Sequence, residues 1–161
     1  MKIGIGYDIH RTSKNRKLIL GGVAIASEKG LLGHSDADVL THAICDALLG
    51  ALGEPDIGEQ FPDTDPRYRG ISSMILLRNV HSLVRKKGYE INNIDSTVLL
   101  EKPKLFLFKE NIRTCIAKTL DLPYRSVNVK AKTNEGLGDI GRGNAIAAYA
   151  VITIKKLKTK M

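Results

Sequence analysis

The segment from Asn144 to Lys155 constrains the fold of this chain more than any other part of the sequence. It alternates like a β-strand, and both of its faces are apolar. One face carries Ile146, Ala148, Ala150, Ile152 and Ile154, and the other carries Ala145, Ala147, Tyr149 and Val151. Apolar residues on both faces of a strand have to be covered on both sides. We therefore predict a sheet with helices on one face and another subunit on the other.

Hydrophobic periodicity along the rest of the chain predicts an α+β protein with one mixed sheet of about four strands and helices packed on one face. Strands are predicted at 2–6, 90–101, 126–133 and 144–155, with a short hairpin formed by 18–20 and 23–25. Helices are predicted at 37–51, 72–87 and 105–120, the first capped by Ser35 or Asp36. The acidic segment 54–66 is rich in turn-forming residues and is predicted to be loop or single helical turns. Since no linker interrupts this pattern, residues 1–161 are predicted to form a single domain.

Composition narrows the classes of protein to which the chain can belong. With 43% hydrophobic and 26% charged residues, it is typical of a globular protein. No apolar run approaches the roughly 20 residues that span a bilayer, and the first residues do not resemble a secretory or transit signal. Cys45 and Cys115 lie far apart in apolar helical patterns, which favours reduced, buried thiols. We therefore predict a cytoplasmic protein with no membrane partner.

The net charge of +8 raises the possibility of nucleic-acid binding. Much of the excess, however, falls in a predicted loop at 14–17, a helix end at 85–87 and the tail at 155–160, and the chain has only five Tyr, three Phe and no Trp to stack on bases. Attraction for a phosphorylated small molecule is the better interpretation, and we predict no nucleic-acid partner.

A candidate metal site begins with Asp8 and His10, which point to the same side of an extended segment. His42 lies in the middle of the first predicted helix, and Asp46, four residues later, could accept its second imidazole N–H. Two nitrogens and one carboxylate leave a coordination position open, which is typical of a catalytic zinc, although the same set suits non-haem iron.

Two further groups of residues lack an evident role in stability. One group comprises the acidic segments at 56–58 and 61–65, where turn formation is the alternative interpretation and is favoured for Asp65. The other is the glycine-rich segment at 132–143, whose backbone could approach phosphate oxygens closely and which contains Lys132, Thr133, Glu135 and Arg142.

The motifs GYDIHR, GHSDADV, DIGEQFPDTDP, EKPKL and VKAKTNEGLGDIGRG occur in this order over nearly the whole chain. This set resembles the 2-C-methyl-D-erythritol 2,4-cyclodiphosphate synthases of the non-mevalonate (MEP) pathway of isoprenoid precursor biosynthesis. The resemblance implies a lyase that converts 4-diphosphocytidyl-2-C-methyl-D-erythritol 2-phosphate to 2-C-methyl-D-erythritol 2,4-cyclodiphosphate and releases CMP. It also implies a homotrimer with three sheets around a threefold axis and active sites at the subunit interfaces.

The resemblance also implies the roles of individual residues. One Zn²⁺ per subunit would be held by Asp8, His10 and His42, and a second divalent cation, Mg²⁺ or Mn²⁺, by Glu135 and the substrate phosphates. His34 and Thr133 would be catalytic, stabilising the pentacovalent transition state. The implied substrate-binding residues are Asp8, His10, His34, Ser35, Asp56, Ile57, Gly58, Phe61, Asp63, Asp65, Leu100, Lys102, Pro103, Lys104, Leu105, Phe106, Ala131, Lys132, Thr133, Asn134, Glu135 and Arg142.

Two other functions are compatible with parts of the sequence. The two-His, one-carboxylate set could belong to a non-haem iron oxygenase, which would leave the acidic and glycine-rich segments unexplained. The charge of +8 could belong to an RNA-binding module without a metal requirement. The sequence also departs from the family pattern at Asp139 and Asn144, which flank Arg142.

Overall fold

The computed structural model describes residues 1–157 and confirms the α+β class. Residues 158–161, which include the end of the basic tail and of the predicted domain, lie outside the described part. The strands are β1 (Lys2–Ser13), β2 (Leu18–Leu20), β3 (Val23–Ile25), β4 (Gly30–Leu31), β5 (Tyr89–Leu99), β6 (Val127–Lys132) and β7 (Ala145–Lys156). The helices are α1 (Val39–Leu52), α2 (Ile57–Gln60), α3 (Ser73–Lys86), α4 (Lys109–Thr119) and α5 (Gly138–Gly141), with 3₁₀ turns at Pro66–Tyr68, Leu105–Leu107 and Tyr124–Ser126.

Five strands form one mixed sheet in the order β4-β1-β7-β5-β6. β7 pairs antiparallel with β1 and β5, whereas β5 and β6 are parallel. The sequence predicted about four strands and missed β4, because two residues are too few to show alternation. β1 continues to Ser13, well past the predicted end at residue 6, so GYDIHR lies inside a strand. The predicted hairpin is confirmed as the separate pair β2–β3.

Helices pack against one face of this sheet, here called the inner face. α1 contacts β1 and β7, α3 contacts α1 and β5, and α4 contacts β6. The predicted inner residues of β7, from Ile146 to Ile154, are all buried. Among the described residues, none of the helices combines the length and the apolar character that crossing a bilayer requires.

Two helix boundaries differ from the prediction. α1 begins at Val39, and its N-cap is Asp38, whose Oδ1 accepts the backbone N–H of Thr41 at 3.0 Å. Neither Ser35 nor Asp36 caps it, because Ala37 adopts a left-handed conformation (φ 59°) that ends helical geometry before Asp38. The predicted helix 105–120 is divided into a 3₁₀ turn and α4, which meet at Phe108.

Gly4 and Gly6 let β1 approach α1 more closely than any side chain would allow. A Cβ atom built on Gly6 would lie 2.0 Å from the carbonyl oxygen of Ala43 and 2.7 Å from the amide nitrogen of Ala47. A Cβ atom on Gly4 would lie 1.9 Å from the carbonyl oxygen of Ala47. Because these neighbours are backbone atoms of a helix, they cannot move aside singly.

Gly6→Ala should therefore destabilise the fold strongly, at the upper end of the roughly 1–3 kcal/mol typical of overpacked sites or above it. Urea unfolding monitored by circular dichroism measures the change. Gly50→Ala is the matched control, since its Cβ would lie 3.8 Å from the nearest atom, the carbonyl oxygen of Ile5, and alanine is preferred in a helix. Equal stability of Gly6→Ala and the wild type would contradict the close approach.

The opposite face of the sheet, here called the outer face, is apolar and exposed along β1 and β7. Ile5 is 68% exposed and Tyr7 is 46% exposed. The Tyr7 and Tyr149 rings stack with centroids 4.7 Å apart. The exposed apolar residues of this face are Ile3, Ile5, Tyr7, Ile9, Tyr149 and Val151. The alternation predicted for the last strand is thus confirmed, and the described subunit leaves most of its second apolar face uncovered.

Candidate active site

Asp8, His10 and His42 meet where β1 crosses α1. The Asp8 Oδ2 atom lies 3.0 Å from His10 Nε2 and 2.9 Å from His42 Nδ1, and the two nitrogens lie 3.2 Å apart. Ligand atoms around a tetrahedral Zn²⁺, each at about 2.0–2.1 Å from the ion, are separated by roughly 3.3 Å. The three donor atoms therefore already have close to the mutual spacing that one small divalent cation requires.

The charges in this cluster favour an ionised Asp8. Burial by itself would raise the pKa of the Asp8 carboxyl, but hydrogen bonds from His10 and His42 outweigh it and hold that pKa well below its ordinary range. Burial likewise opposes the charged form of His42, yet the hydrogen bond and the charge of Asp8 raise the pKa of His42 above its usual value. The cluster thus combines an anionic oxygen with two nitrogens, which suits a cation.

The second nitrogen of His42 does not contact Asp46, contrary to the prediction. Because Nδ1 faces Asp8, Nε2 points away from α1 toward the start of α3, where it lies 2.8 Å from Ser73 Oγ and 3.1 Å from Ser35 Oγ. Asp46 instead accepts the backbone N–H of Ile57 at 2.8 Å. Ser73 was not among the predicted site residues, and its 31-residue separation from His42 leaves no local sequence signal.

The hydrogen bond between Ile57 and Asp46 links the acidic segment 56–65 to α1, one turn after His42. Asp56 caps the short helix α2 by accepting the N–H of Glu59 at 2.9 Å, and Gly58 and Asp63 are exposed in the same segment. Phe61 packs edge-on against Tyr68, with ring centroids 5.4 Å apart. Asp65 caps the following 3₁₀ turn and pairs with Arg67, as the turn-forming interpretation expects.

The glycine-rich segment after β6 brings Thr133 and Glu135 together. The Thr133 hydroxyl donates to Glu135 Oε1 at 2.8 Å, and Glu135 adopts a left-handed conformation (φ 50°), which is uncommon for a residue with a side chain. Glu101 accepts the backbone N–H of Asn134 at 2.7 Å and so links this segment to the loop after β5. Glu101 was not among the predicted site residues.

Basic residues from three segments line a cavity of about 790 Å³ beside this loop. Its cationic lining residues are Lys29, Lys102, Lys104 and Arg142. Pro103 also lines it, whereas Leu105 is buried and Phe106 is 82% exposed.

The other predicted residues lie at the end of β6, next to it or after it. Leu100 donates its backbone N–H to the carbonyl oxygen of Lys132, the last residue of β6. Ala131, which precedes Lys132, is half-buried. Arg142 pairs with Asp139, one of the two positions that depart from the family pattern.

Within one subunit, the metal cluster lies between β1 and α1, whereas the Thr133–Glu135 segment follows β6. Asp8 stands in the same transverse row as Ala148, Val98 and Ala131, so β1 and β6 are three strand spacings apart. At about 4.8 Å per spacing, Asp8 and Ala131 are separated by roughly 14 Å. His34 is exposed and lies next to Ser35 on the metal side. The subunit therefore carries two half-sites, the metal cluster between β1 and α1 and the glycine-rich segment after the edge strand β6.

A carboxylate–imidazole cluster that could hold a metal ion, together with a basic, glycine-rich half-site, fits an enzyme that acts on phosphorylated small molecules. Comparison with known proteins identifies the family. The model of the YgbB family matches residues 1–155. The chain belongs to this family, which confirms the resemblance predicted from the motifs.

Relatives and solved structures agree with this assignment. A 2-C-methyl-D-erythritol 2,4-cyclodiphosphate synthase of Syntrophus aciditrophicus is 56% identical over 97% of this chain and 98% of its own length. The bifunctional IspDF of Campylobacter jejuni superposes with a TM-score of 0.93 at 45% identity, covering 97% of this chain and 42% of that longer chain. IspF of Plasmodium falciparum, solved as a CDP complex, has a TM-score of 0.86 at 39% identity and covers 98% of this chain and 97% of its own.

Proposed function

We propose that this chain is a phosphorus–oxygen lyase that converts 4-diphosphocytidyl-2-C-methyl-D-erythritol 2-phosphate to 2-C-methyl-D-erythritol 2,4-cyclodiphosphate and CMP. The observation that carries the proposal is the pre-arranged Asp8–His10–His42 cluster in a chain 56% identical to a named synthase of this reaction. An oxygen of the 2-phosphate attacks the β-phosphorus, and the bond from that phosphorus to the bridging oxygen of the α-phosphate breaks. CMP departs with the bridging oxygen, and an eight-membered ring remains.

Zn²⁺ at Asp8, His10 and His42 is the proposed metal, because two imidazoles and one carboxylate with an open fourth position are typical of catalytic zinc. Glu135 would hold a second divalent cation, Mg²⁺ or Mn²⁺, together with the substrate phosphates. When bound, the two cations would supply charge neutralisation for two phosphate groups that otherwise repel each other.

The remaining site residues would bind and orient the substrate. His34 and Thr133 would donate hydrogen bonds to the oxygens on which charge develops in the transition state. The methylerythritol part would lie against His34, Ser35 and the acidic segment containing Asp56, Ile57, Gly58, Phe61, Asp63 and Asp65. Backbone groups between Leu100 and Phe106, with Ala131, Lys132 and Asn134, would receive the cytidine, while Lys104 and Arg142 would add positive charge near the phosphates.

A homotrimer would complete each active site from two subunits. Two features support it: the exposed apolar outer face of β1 and β7, and the roughly 14 Å between Asp8 and Ala131, the strand residue shortly before Thr133, in one subunit. A partner's Thr133–Glu135 segment could then approach the metal cluster more closely than the subunit's own. The cytoplasmic location and the absence of nucleic-acid and membrane partners stay predictions.

Incubation of the protein with the cytidylyl substrate and Mg²⁺, followed by ³¹P NMR, tests the proposal directly. We expect the diphosphate signals of the substrate to be replaced by those of CMP and a cyclic diphosphate. Addition of a zinc chelator should abolish the conversion, and zinc should restore it. Unchanged substrate in the presence of both metals would refute the proposed activity.

A further inference from the structure

Ser73 and Asp36 form a hydrogen-bonded chain behind His42. Ser73 is the first residue of α3, its side chain is fully buried, and its Oγ lies 2.8 Å from His42 Nε2. The Ser73 hydroxyl donates to Asp36 Oδ1, and the Ser73 backbone N–H donates to Asp36 Oδ2 at 3.0 Å. None of these contacts involves the residues to which the resemblance assigns metal binding, apart from His42 itself.

The direction of each hydrogen bond follows from the donors and acceptors available. An ionised carboxylate can only accept, so the Ser73 hydroxyl proton must point to Asp36. The lone pairs of Ser73 Oγ are then left to accept, and His42 Nε2 must carry a proton to meet them. A metal ion bound by Asp8 and His10 would displace the proton that His42 Nδ1 shares with Asp8, and the neutral imidazole would then keep its one proton on Nε2.

Ser35 fits the same arrangement as a second acceptor, since its Oγ lies 3.1 Å from His42 Nε2. Its Oγ already accepts the backbone N–H of Ala37 at 3.1 Å, and it lies 3.4 Å from Ser73 Oγ, to which its hydroxyl can donate. The left-handed turn at Ala37 separates the two neighbouring carboxylates. Asp36 accepts the backbone N–H of Ser73, whereas Asp38 accepts the backbone N–H groups of Gly21 and Gly22.

We propose that Ser73 and Asp36 are positioning residues that hold His42 with Nε2 protonated and Nδ1 free to bind the metal ion. The inference rests on the metal centre of the proposed function but not on the cyclisation itself. A buried acceptor behind a metal-bound imidazole fixes the orientation of the ring and increases its basicity. Ser73 supplies that acceptor, and Asp36 makes it a stronger one by accepting the hydrogen bond of its hydroxyl.

Zinc affinity of the full-length protein, measured by competition with a chromophoric chelator, tests the proposal without substrate. Ser73→Ala should weaken zinc binding about 10- to 100-fold, the range typical of residues behind a metal ligand. Asp36→Asn should weaken it as well, because an amide has one acceptor oxygen and cannot accept both the backbone N–H and the hydroxyl of Ser73. Ser73→Thr keeps the hydroxyl and should retain most of the affinity.

Ser72→Ala is the matched control, since Ser72 caps the same helix by accepting the Met74 N–H but does not contact His42. We expect it to lower thermal stability and to leave zinc affinity unchanged. In the zinc-loaded wild type, ¹H–¹⁵N NMR should detect a slowly exchanging His42 Nε2–H that Ser73→Ala loses and Ser72→Ala keeps.

The outcomes separate this inference from the proposed function. Wild-type zinc affinity in both Ser73→Ala and Asp36→Asn would refute the positioning role and leave the metal centre intact. Equal losses in Ser73→Ala and Ser72→Ala would refute it too, because the effect would then belong to the helix start. A wild-type protein that binds no zinc would overturn the metal centre together with this inference.

Discussion

Replacing His42 with alanine should remove zinc from the protein and nearly all of its activity, while the subunits still assemble. Asp8 and His10 would be left as two donors, too few to hold the ion firmly. The loss of activity should exceed the roughly 10- to 100-fold typical of residues behind a ligand. Metal analysis of the purified variant, together with its activity and native mass, measures all three effects.

Glu135→Ala is the contrasting variant. Glu135 lies on the other half-site, where its carboxylate contacts Thr133 and not the metal cluster. We therefore expect it to retain zinc and to lose activity that added Mg²⁺ or Mn²⁺ does not restore. Equal zinc loss in His42→Ala and Glu135→Ala would show that the two cations are wrongly assigned.

Placing a lysine at position 5 should prevent the subunits from assembling and thereby abolish activity. Ile5 lies on the outer face, opposite Val151, and the stacked Tyr7 and Tyr149 are the next pair on that face. Burying a charge there without a partner costs several kcal/mol, and three copies around an axis would also repel one another. Light scattering should give a subunit mass for the variant and a trimer mass for the wild type.

Ile75→Lys is the control for that experiment, because Ile75 is 40% exposed on α3, on the helical side of the sheet. We expect it to remain trimeric and active. A trimeric, active Ile5→Lys protein would mean that the outer face is not the subunit interface. Mixing Ile5→Lys with the wild type should not restore the lost activity.

Local alternation was sufficient to predict the parts of this site that one strand or one helix supplies. Asp8 and His10 share a face because of the two-residue period of a strand, and His42 was placed on the correct helix by its apolar neighbours. The partner of His42 Nε2 could not be predicted in the same way. It depends on how the start of α3 packs against α1, and Asp46, the nearest acid in sequence, faces Ile57 instead.

The sequence likewise predicted the main sheet and its helices but not all of their boundaries. The apolar alternation of β7 required a covering for both faces, and the described subunit provides one of them. The strand β4, which pairs with Thr12 and Ser13, was missed because two residues are too few to show alternation. The start of α1 was misplaced because the left-handed turn at Ala37 has no signature in a residue that usually favours helices.

The two glycines of β1 also make the pairing of this strand with β7 unambiguous. Even-numbered residues, Gly4 to His10, face α1, and odd-numbered residues, Ile3 to Ile9, face outward. A slip by one residue would put Ile5 or Tyr7 against the helix backbone, where there is no room even for a methyl group. Because a misaligned β1 cannot pack against α1, any chain that forms this sheet places the candidate metal ligands Asp8 and His10 on the inner face and the apolar side chains on the outer face.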